Sequence, residues 1–318
     1  MQRQNVLTIF MLSLAVNSHA QVYPTRPLRL ITGFLPGGVS DTIARVTGEK
    51  LGERLGQRVI IDGRPGAGGV VSMEIAAAAN PDGHTLYLGQ PVITLSPNFR
   101  KRPGFDPLKA FAPVSLIATG PTLLAVHPSL PVNSMKELIA YAKAHADGLR
   151  FGSSGTGTTN HLSGELLRVM ANIPLTHVPY RGAAVNVVAA IQGEIHISFL
   201  PLLAAIPHVK SGRLKALAVT GAKRSPSMPD VPTVGESLPG YEVSAWYGIV
   251  VPAATPQPIV KRLNAELVKV LEQQDVRDRL TAQGVDVQSS SIAELAELIR
   301  ADAIRWAKLV KAAGLVLE

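Results

Sequence analysis

The sequence predicts an α/β fold made of two similar βα sets. Short apolar runs alternate with segments whose apolar residues recur at helical spacing, the pattern of a mostly parallel sheet covered on both faces. The alternation stops near residue 90 and restarts near residue 122. The chain has 318 residues, 46% hydrophobic and 17% charged, which is long for one core and comfortable for two. Aromatic residues make up only 5%, so Ala, Val, Leu and Ile must do most of the packing.

In the first set, "LRLIT" (28–32), "RVIID" (58–62) and "HTLYLG" (84–89) read as strands. "DTIARVTGEKLGERL" (41–55) and "GGVVSMEIAAAA" (68–79) read as helices between them. In the second set the strands are "TLLAVHP" (122–128), "LRF" (149–151), "LTHVPY" (175–180), "EIHISFL" (194–200) and "LKALAVT" (214–220). Its helices are "SMKELIAYAKAHA" (134–146), "HLSGELLRVMA" (161–171), "AAVNVVAAIQG" (183–193) and "LLAAIPHVKSG" (202–212). A Pro/Gly/Ser-rich passage (224–240) leads to the strand "YEVSAWYGIVVP" (241–252) and three helical stretches at 256–273, 274–284 and 291–314.

The N-terminus reads as an export signal. Arg3 is followed by an apolar run from Val6 to Val16, and Ser18-His19-Ala20 supplies small residues for cleavage before Gln21. The run falls well short of the roughly 20 residues that span a bilayer. With no Cys in the chain, disulfides, thiol nucleophiles and cysteine zinc sites are excluded. The net charge of +8 is scattered and does not interleave with aromatics, so nucleic-acid binding is not expected.

Two glycine loops occupy matching places, each between a strand and its helix. The first, "GFLPGGVSD" (33–41), has Pro36 to fix φ, Gly37 and Gly38 to admit a ligand to the backbone, Ser40 as an N-cap and Asp41 in the first turn. The second, "GSSGTGTTNH" (152–161), sets hydroxyls of Ser153, Ser154, Thr156, Thr158 and Thr159 around Gly155 and Gly157. Such loops aim N–H groups from the positive end of a helix and are suited to anions, in particular a carboxylate. The same residues also fit a tight turn whose hydroxyls satisfy one another.

Sharper enzymatic patterns are missing. Neither loop carries a P-loop lysine, the second runs Gly-x-x-Gly-x-Gly without a following acid, and Gly-x-Ser-x-Gly is absent. His161 sits beside the hydroxyl loop, where it orients a ligand or packs in the first helical turn. His177 and His196 read as core histidines satisfied by backbone, while Tyr180 and Arg181 are placed to meet a solute. Trp246 and Tyr247 read as core.

With these residues in view, the sequence resembles the Bug proteins, extracytoplasmic solute receptors of tripartite tricarboxylate transporters. The resemblance is carried in order by "YPTRPLRLI", "PGGVSDTIAR", "RPGAGGV", "ANPDGHTLYLG", "FGSSGTGTTNHLSGELL", "HVPYRG", "VKSGRLKALAVT", "PDVPTVGES" and "AGLVLE". It implies a type II periplasmic binding protein: two Rossmann-like domains joined by two crossover segments, near Gly120–Thr122 and Glu242–Ala245. Residues 1–20 are then the signal peptide, 21–121 with 245–318 the first domain, and 122–244 the second, with the last helices packing on the first. The implied ligand set is Phe34, Leu35, Pro36, Gly37, Gly38, Ser40, Asp41, Gln90, Ser153, Ser154, Gly155, Thr156, Gly157, Thr158, Thr159, His161 and Tyr180. No cofactor, metal or catalytic residue is implied. The expected partners are a small organic carboxylate, the membrane subunits of a transporter, or a sensor-kinase ectodomain, with the receptor a monomer.

One departure stands out. Where the resemblance implies "YKGxAPAxxDxxxG", this chain reads "YRGAAVNVVAAIQG", with Val185 for the proline and Ala189 for the aspartate. Loss of that acid argues against a protonated amine on the ligand, and Leu35 makes the first loop more apolar. The competing reading is an exported hydrolase using Ser153 or Ser154 with His161.

Overall fold

The computed structural model describes residues 23–33, 36–99, 105–145, 147–180 and 182–314. The expected export signal (1–20), Phe34, Leu35, Arg181 and the last four residues lie outside them.

In the first half, strands β1 (Leu28–Thr32), β2 (Val59–Gly63) and β3 (Thr85–Gly89) alternate with helices α1 (Val39–Leu55), α2 (Val70–Ala77) and α3 (Val92–Phe99). The long strand β4 (Phe111–Val126) leads into α4 (Met135–Ala144), β5 (Leu149–Ser153), α5 (Thr159–Ala171), β6 (Leu175–Pro179), α6 (Ala183–Gln192), β7 (Ile197–Pro201), α7 (Leu202–Lys210) and β8 (Lys215–Val219). After the short α8 (Val234–Ser237) come β9 (Ser244–Pro252), α9 (Gln257–Leu271), α10 (Gln274–Thr281), β10 (Asp286–Val287) and α11 (Ile292–Ala313).

The strands form one hydrogen-bonded path, β2-β1-β3-β9-β4-β7-β5-β6, with β8 and β10 also on β4. It changes character in the middle of β4. Residues Phe111 to Pro121 pair with β9, and Thr122 to Val126 pair with β7 and β8. Each half has the same order: a parallel trio, then one antiparallel strand, β9 in the first half and the end of β4 in the second. The expected mostly parallel sheet is therefore mixed, because the strands that pass between halves run against their neighbours. Sequence reading missed the first part of β4, where Pro113, Gly120 and Pro121 argue against a strand. Register shifts between Pro113 and Ser115 and between Leu116 and Ala118 absorb the irregularity.

A threonine pair ties the crossings together. The Thr122 amide donates to Thr220 Oγ1 at 2.9 Å, the two hydroxyls lie 3.1 Å apart, and the Val243 amide donates to the Thr220 carbonyl at 2.8 Å. Both chain passages thus meet at one residue.

Strand alternation splits the apolar residues between two faces. In the first half, Leu28, Leu30, Leu86 and Leu88 pack with α1, α9 and α10, while Ile31 and Tyr87 face α2 and α3. In the second, Leu124 and Val126 pack with α4 and α5, and Leu123 and Ala125 with α6 and α7. Helix α11 joins two of these cores. Leu295 packs with Trp246 and Val250, and Trp306 and Leu309 pack with Leu162, Leu167 and Phe199. Between them Asp302, 5% exposed, accepts from Thr94 Oγ1 at 2.6 Å and from Trp246 Nε1 at 3.0 Å. Burial raises its pKa against the lowering effect of these bonds.

Replacing Asp302 by Ala leaves the buried Trp246 N–H without that acceptor. The expected loss is about 1–3 kcal/mol, read as a lower denaturant midpoint with unchanged slope. An unaltered midpoint contradicts this role.

Candidate functional site

In open α/β sheets, the loops that follow the carboxyl ends of parallel strands form the ligand crevice. Here those loops are 33–38 after β1, 64–69 after β2, 154–158 after β5 and 180–182 after β6. Three of the helices they feed, α1, α2 and α6, start from glycine N-caps (Gly38, Gly69, Gly182) with no side-chain cap. The first-turn amides of α1 and α6 have no intrahelical acceptor and sit at the positive end of the helix dipole, whereas in α2 the Val70 amide already donates to the Ala67 carbonyl.

The first loop differs from expectation in one respect. Helix α1 starts at Val39, so Gly38 is the N-cap and Ser40 lies inside the first turn. The Ser40 hydroxyl instead accepts from Gln90 Nε2 at 3.2 Å, which joins two buried members of the expected set. Asp41 accepts from the Gly37 amide at 3.0 Å and from Arg45 Nε at 2.9 Å. Burial works to raise its pKa, but the bonds from Arg45 and Gly37 outweigh it and hold the carboxyl below its usual range. Pro36, Gly37 and Gly38 are exposed, and the amides of Val39, Ser40 and Asp41 remain for an external acceptor.

Loop 64–69 was not foreseen as part of the site; its end reads in sequence as a helix start. Gly66, Ala67, Gly68 and Gly69 all have positive φ, a course open mainly to glycine. Gly33 makes this loop and the first loop one unit, since a Cβ on Gly33 would lie 2.7 Å from Ser72 Oγ and 3.0 Å from Gly69 Cα. A Cβ on Gly68 would lie 4.0 Å from the Thr156 carbonyl oxygen. The first half therefore reaches the second glycine loop here. "GAGG" directly after a strand is the sequence signal that marks it.

The second loop is braced from within. Ser153 is fully buried, and its Oγ lies 2.7 Å from His177 Nε2, 3.1 Å from the Gly155 amide nitrogen and 3.1 Å from the Gly155 carbonyl oxygen. A hydroxyl has one proton and two lone pairs. All three contacts are met when Oγ donates to the carbonyl and accepts from both N–H groups, so His177 carries its proton on Nε2. The Gly157 amide donates to His161 Nδ1 at 3.2 Å. Thr158 is the N-cap of α5, accepting from the His161 amide and donating to the Gly155 carbonyl at 2.7 Å. Asn160 and Asn186 both donate to the Phe199 carbonyl, at 2.6 and 3.3 Å, anchoring the helix beneath.

The two imidazoles lie 4.0 Å apart at their centroids, and Phe151 stacks near both. Burial drives both pKa values down, to about 3 for His161, helped by His177, and to about 4 for His177. The acid nearest this pair, Glu165, is bound by Arg168 at 2.7 Å.

The expected ligand set is thus divided. Gly37, Gly155 and Gly157 spend their amides inside the loops. Among the described residues, no hydrogen bond engages the side chains of Ser154, Thr156 or Thr159, and Thr156 is exposed. Tyr180 joins the loop through its backbone, its amide donating to the Ser153 carbonyl at 3.0 Å, while its hydroxyl meets Glu194 Oε2 at 3.4 Å. His177 is satisfied by a side chain rather than by backbone as expected. Ala189 is 2% exposed, inside the apolar cluster with Leu123, Ile195 and Leu200, so it carries no argument about ligand charge. The hydrolase pairing does not form: Ser153 meets His177, not His161, and its Oγ accepts from that imidazole.

Both histidines are neutral in the fold and take up protons near pH 6.5 when unfolded. Stability therefore holds above about pH 6.5 and falls as the pH drops towards about 4. The double variant His161→Asn/His177→Gln is expected to show a shallower loss over that interval in thermal unfolding. Equal slopes contradict the assignment.

Two half-sheets of one order, sharing their passing strands and facing each other through glycine loops, define an α/β periplasmic binding-protein fold. The chain belongs to the tripartite tricarboxylate transporter receptor family, TctC, whose profile matches residues 43–315. Receptors of this family are periplasmic. A UPF0065 protein encoded in the tcbD-tcbE intergenic region of Pseudomonas sp. (strain P51) is 34% identical over 314 residues, 97% of this chain and 94% of the relative. Among solved structures, an adipate-bound R. palustris protein is 35% identical with a TM-score of 0.84, covering 93% of this chain and 100% of that one. The periplasmic binding protein BugD is 31% identical with a TM-score of 0.81, over 93% and 100% of the two chains. MatC from Rhodopseudomonas palustris, with malate bound, is 34% identical with a TM-score of 0.79, over 91% and 100%.

Proposed function

We propose that the chain is an exported solute receptor that closes two lobes, residues 21–121 with 245–318 and residues 122–244, on a small organic carboxylate. It hands that solute to the membrane subunits of a tripartite transporter. The observation that carries the reading is the approach of Gly68 in loop 66–69 to Thr156 in loop 154–158. The uncapped first turn of α1, joined to loop 66–69 through Gly33, lies on one side, and the unengaged hydroxyls of Ser154, Thr156 and Thr159 lie on the other. A carboxylate is the natural complement, since each charge-assisted hydrogen bond contributes about 1.5–3 kcal/mol and several together need no lysine. Two structural relatives hold adipate and malate, both carboxylates.

The ligand contacts come from Val39, Ser40 and Asp41 amides, the Gly66–Gly69 turn, Thr156 and the α5 first turn. Gln90 belongs to the first wall, where it holds Ser40; Phe34 and Leu35, outside the described residues, are assigned to the site from the sequence alone. No acid is available there for a ligand ammonium group. Asp41 is the sole carboxylate in 33–41, 64–69 and 153–161, and Arg45 and Gly37 already hold it. We therefore place the ligand among organic acids without an amine.

A thermal-shift screen of organic acids tests this. A ligand at 100 times its Kd adds about 2.7 kcal/mol. Non-amino acids such as adipate are expected to raise Tm and aspartate or glutamate to leave it unchanged; the reverse pattern contradicts the reading. Export is checked by mass spectrometry of the secreted form, expected to begin at Gln21.

A further inference from the structure

Loop 154–158 must hold an irregular course, because Gly155 and Gly157 have φ of 132° and 78° and its neighbours include hydroxyls able to bond elsewhere. What fixes it is three side chains from three elements: Ser153 at the end of β5, His177 in β6 and His161 in the first turn of α5. Ser153 Oγ grips both polar groups of Gly155, His177 Nε2 holds that hydroxyl at 2.7 Å, and His161 Nδ1 takes the Gly157 amide at 3.2 Å. Alternate amides of the loop are thereby turned inward, and Thr156 between them is left exposed opposite Gly68.

We propose that Ser153, His177 and His161 are positioning residues for solute capture. As two neutral imidazoles packed at a tilt beside a buried serine, these groups set the loop so that Thr156 and the first turn of α5 meet the ligand. The proposal rests on the carboxylate-receptor reading for what the loop holds, but not for how the loop is held.

The geometry assigns separate jobs to atoms. His161 Nδ1 must be an acceptor, which an imidazolium is not, since both its nitrogens donate. His177 Nε2 must be a donor to Ser153. The charged groups facing the pair are Glu165, whose Oε1 lies 3.9 Å from His161 Nε2, and Arg168, whose Nε binds the other oxygen of that carboxylate at 2.7 Å. Phe151 supplies the apolar wall on the β5 side. An amide side chain reproduces one such bond without titrating: Gln at 177 reaches the Nε2 position, and Phe at 177 keeps the ring but loses the bond.

The test uses the full mature protein and the variants Ser153→Ala, His177→Phe and His177→Gln. Amide exchange of Gly155 and Gly157 is measured without ligand, Tm is recorded, and adipate and malate are titrated by calorimetry. Ser153→Ala and His177→Phe are expected to speed Gly155 exchange and to weaken binding about tenfold or more, as loss of a buried bond implies. His177→Gln is expected to restore both. Folded variants that lose protection yet bind as wild type overturn the proposal, as does His177→Gln binding as poorly as His177→Phe. If His177→Phe fails to fold, Ser153→Ala decides by the same two readouts. If wild type binds neither acid, the carboxylate reading is what suffers, and unchanged Gly155 exchange in Ser153→Ala still overturns the brace.

Discussion

An α-helix cannot satisfy its own first amides, and everything at this site follows from where the chain leaves that need unmet. Three helices begin at glycines that offer no side chain to the first-turn N–H groups, although in α2 the Val70 amide is served by the Ala67 carbonyl. A fourth, α5, is capped by Thr158, yet only its third amide is served by that cap. All four lie at carboxyl ends of strands in one path of sheet. A donor array of this kind is matched by an anion, and it discriminates little by side-chain type.

Bringing the donors together depends on the passage between half-sheets. Strand β4 belongs to both, and the Thr122–Thr220 pair fixes the point at which it and the segment before β9 change partners. Helix α11 ties the two halves together a second time, because its two ends pack in different cores around a buried carboxylate.

Much of this was readable from residues. The two glycine loops stood out because apolar runs end and helical spacing begins on either side of them. The backbone partner expected for His196 is present, since its Nδ1 accepts from the Arg150 amide, but the ring is half-buried rather than core. Other features were hidden for physical reasons. Ser153 and His177 are 24 residues apart and meet only because β5 and β6 pair in parallel with Gly152 opposite Val178. The first part of β4 was masked by prolines that bulges accommodate. Gly68 and Gly69, the end of loop 66–69, read as helix because they adjoin an apolar run, and only their positive φ separates them from it. The ligand-charge argument from Ala189 failed because spacing along α6 does not reveal which helical face is buried.

The most direct measurement is an amide NMR titration of the mature protein with adipate. Shifts are predicted to be largest at Val39, Ser40, Asp41, Thr156 and Thr159, and small at Gly37, Gly155 and Gly157, whose amides are held internally. Saturable binding that moves none of the first group, or that centres on residues far from these loops, would contradict the account.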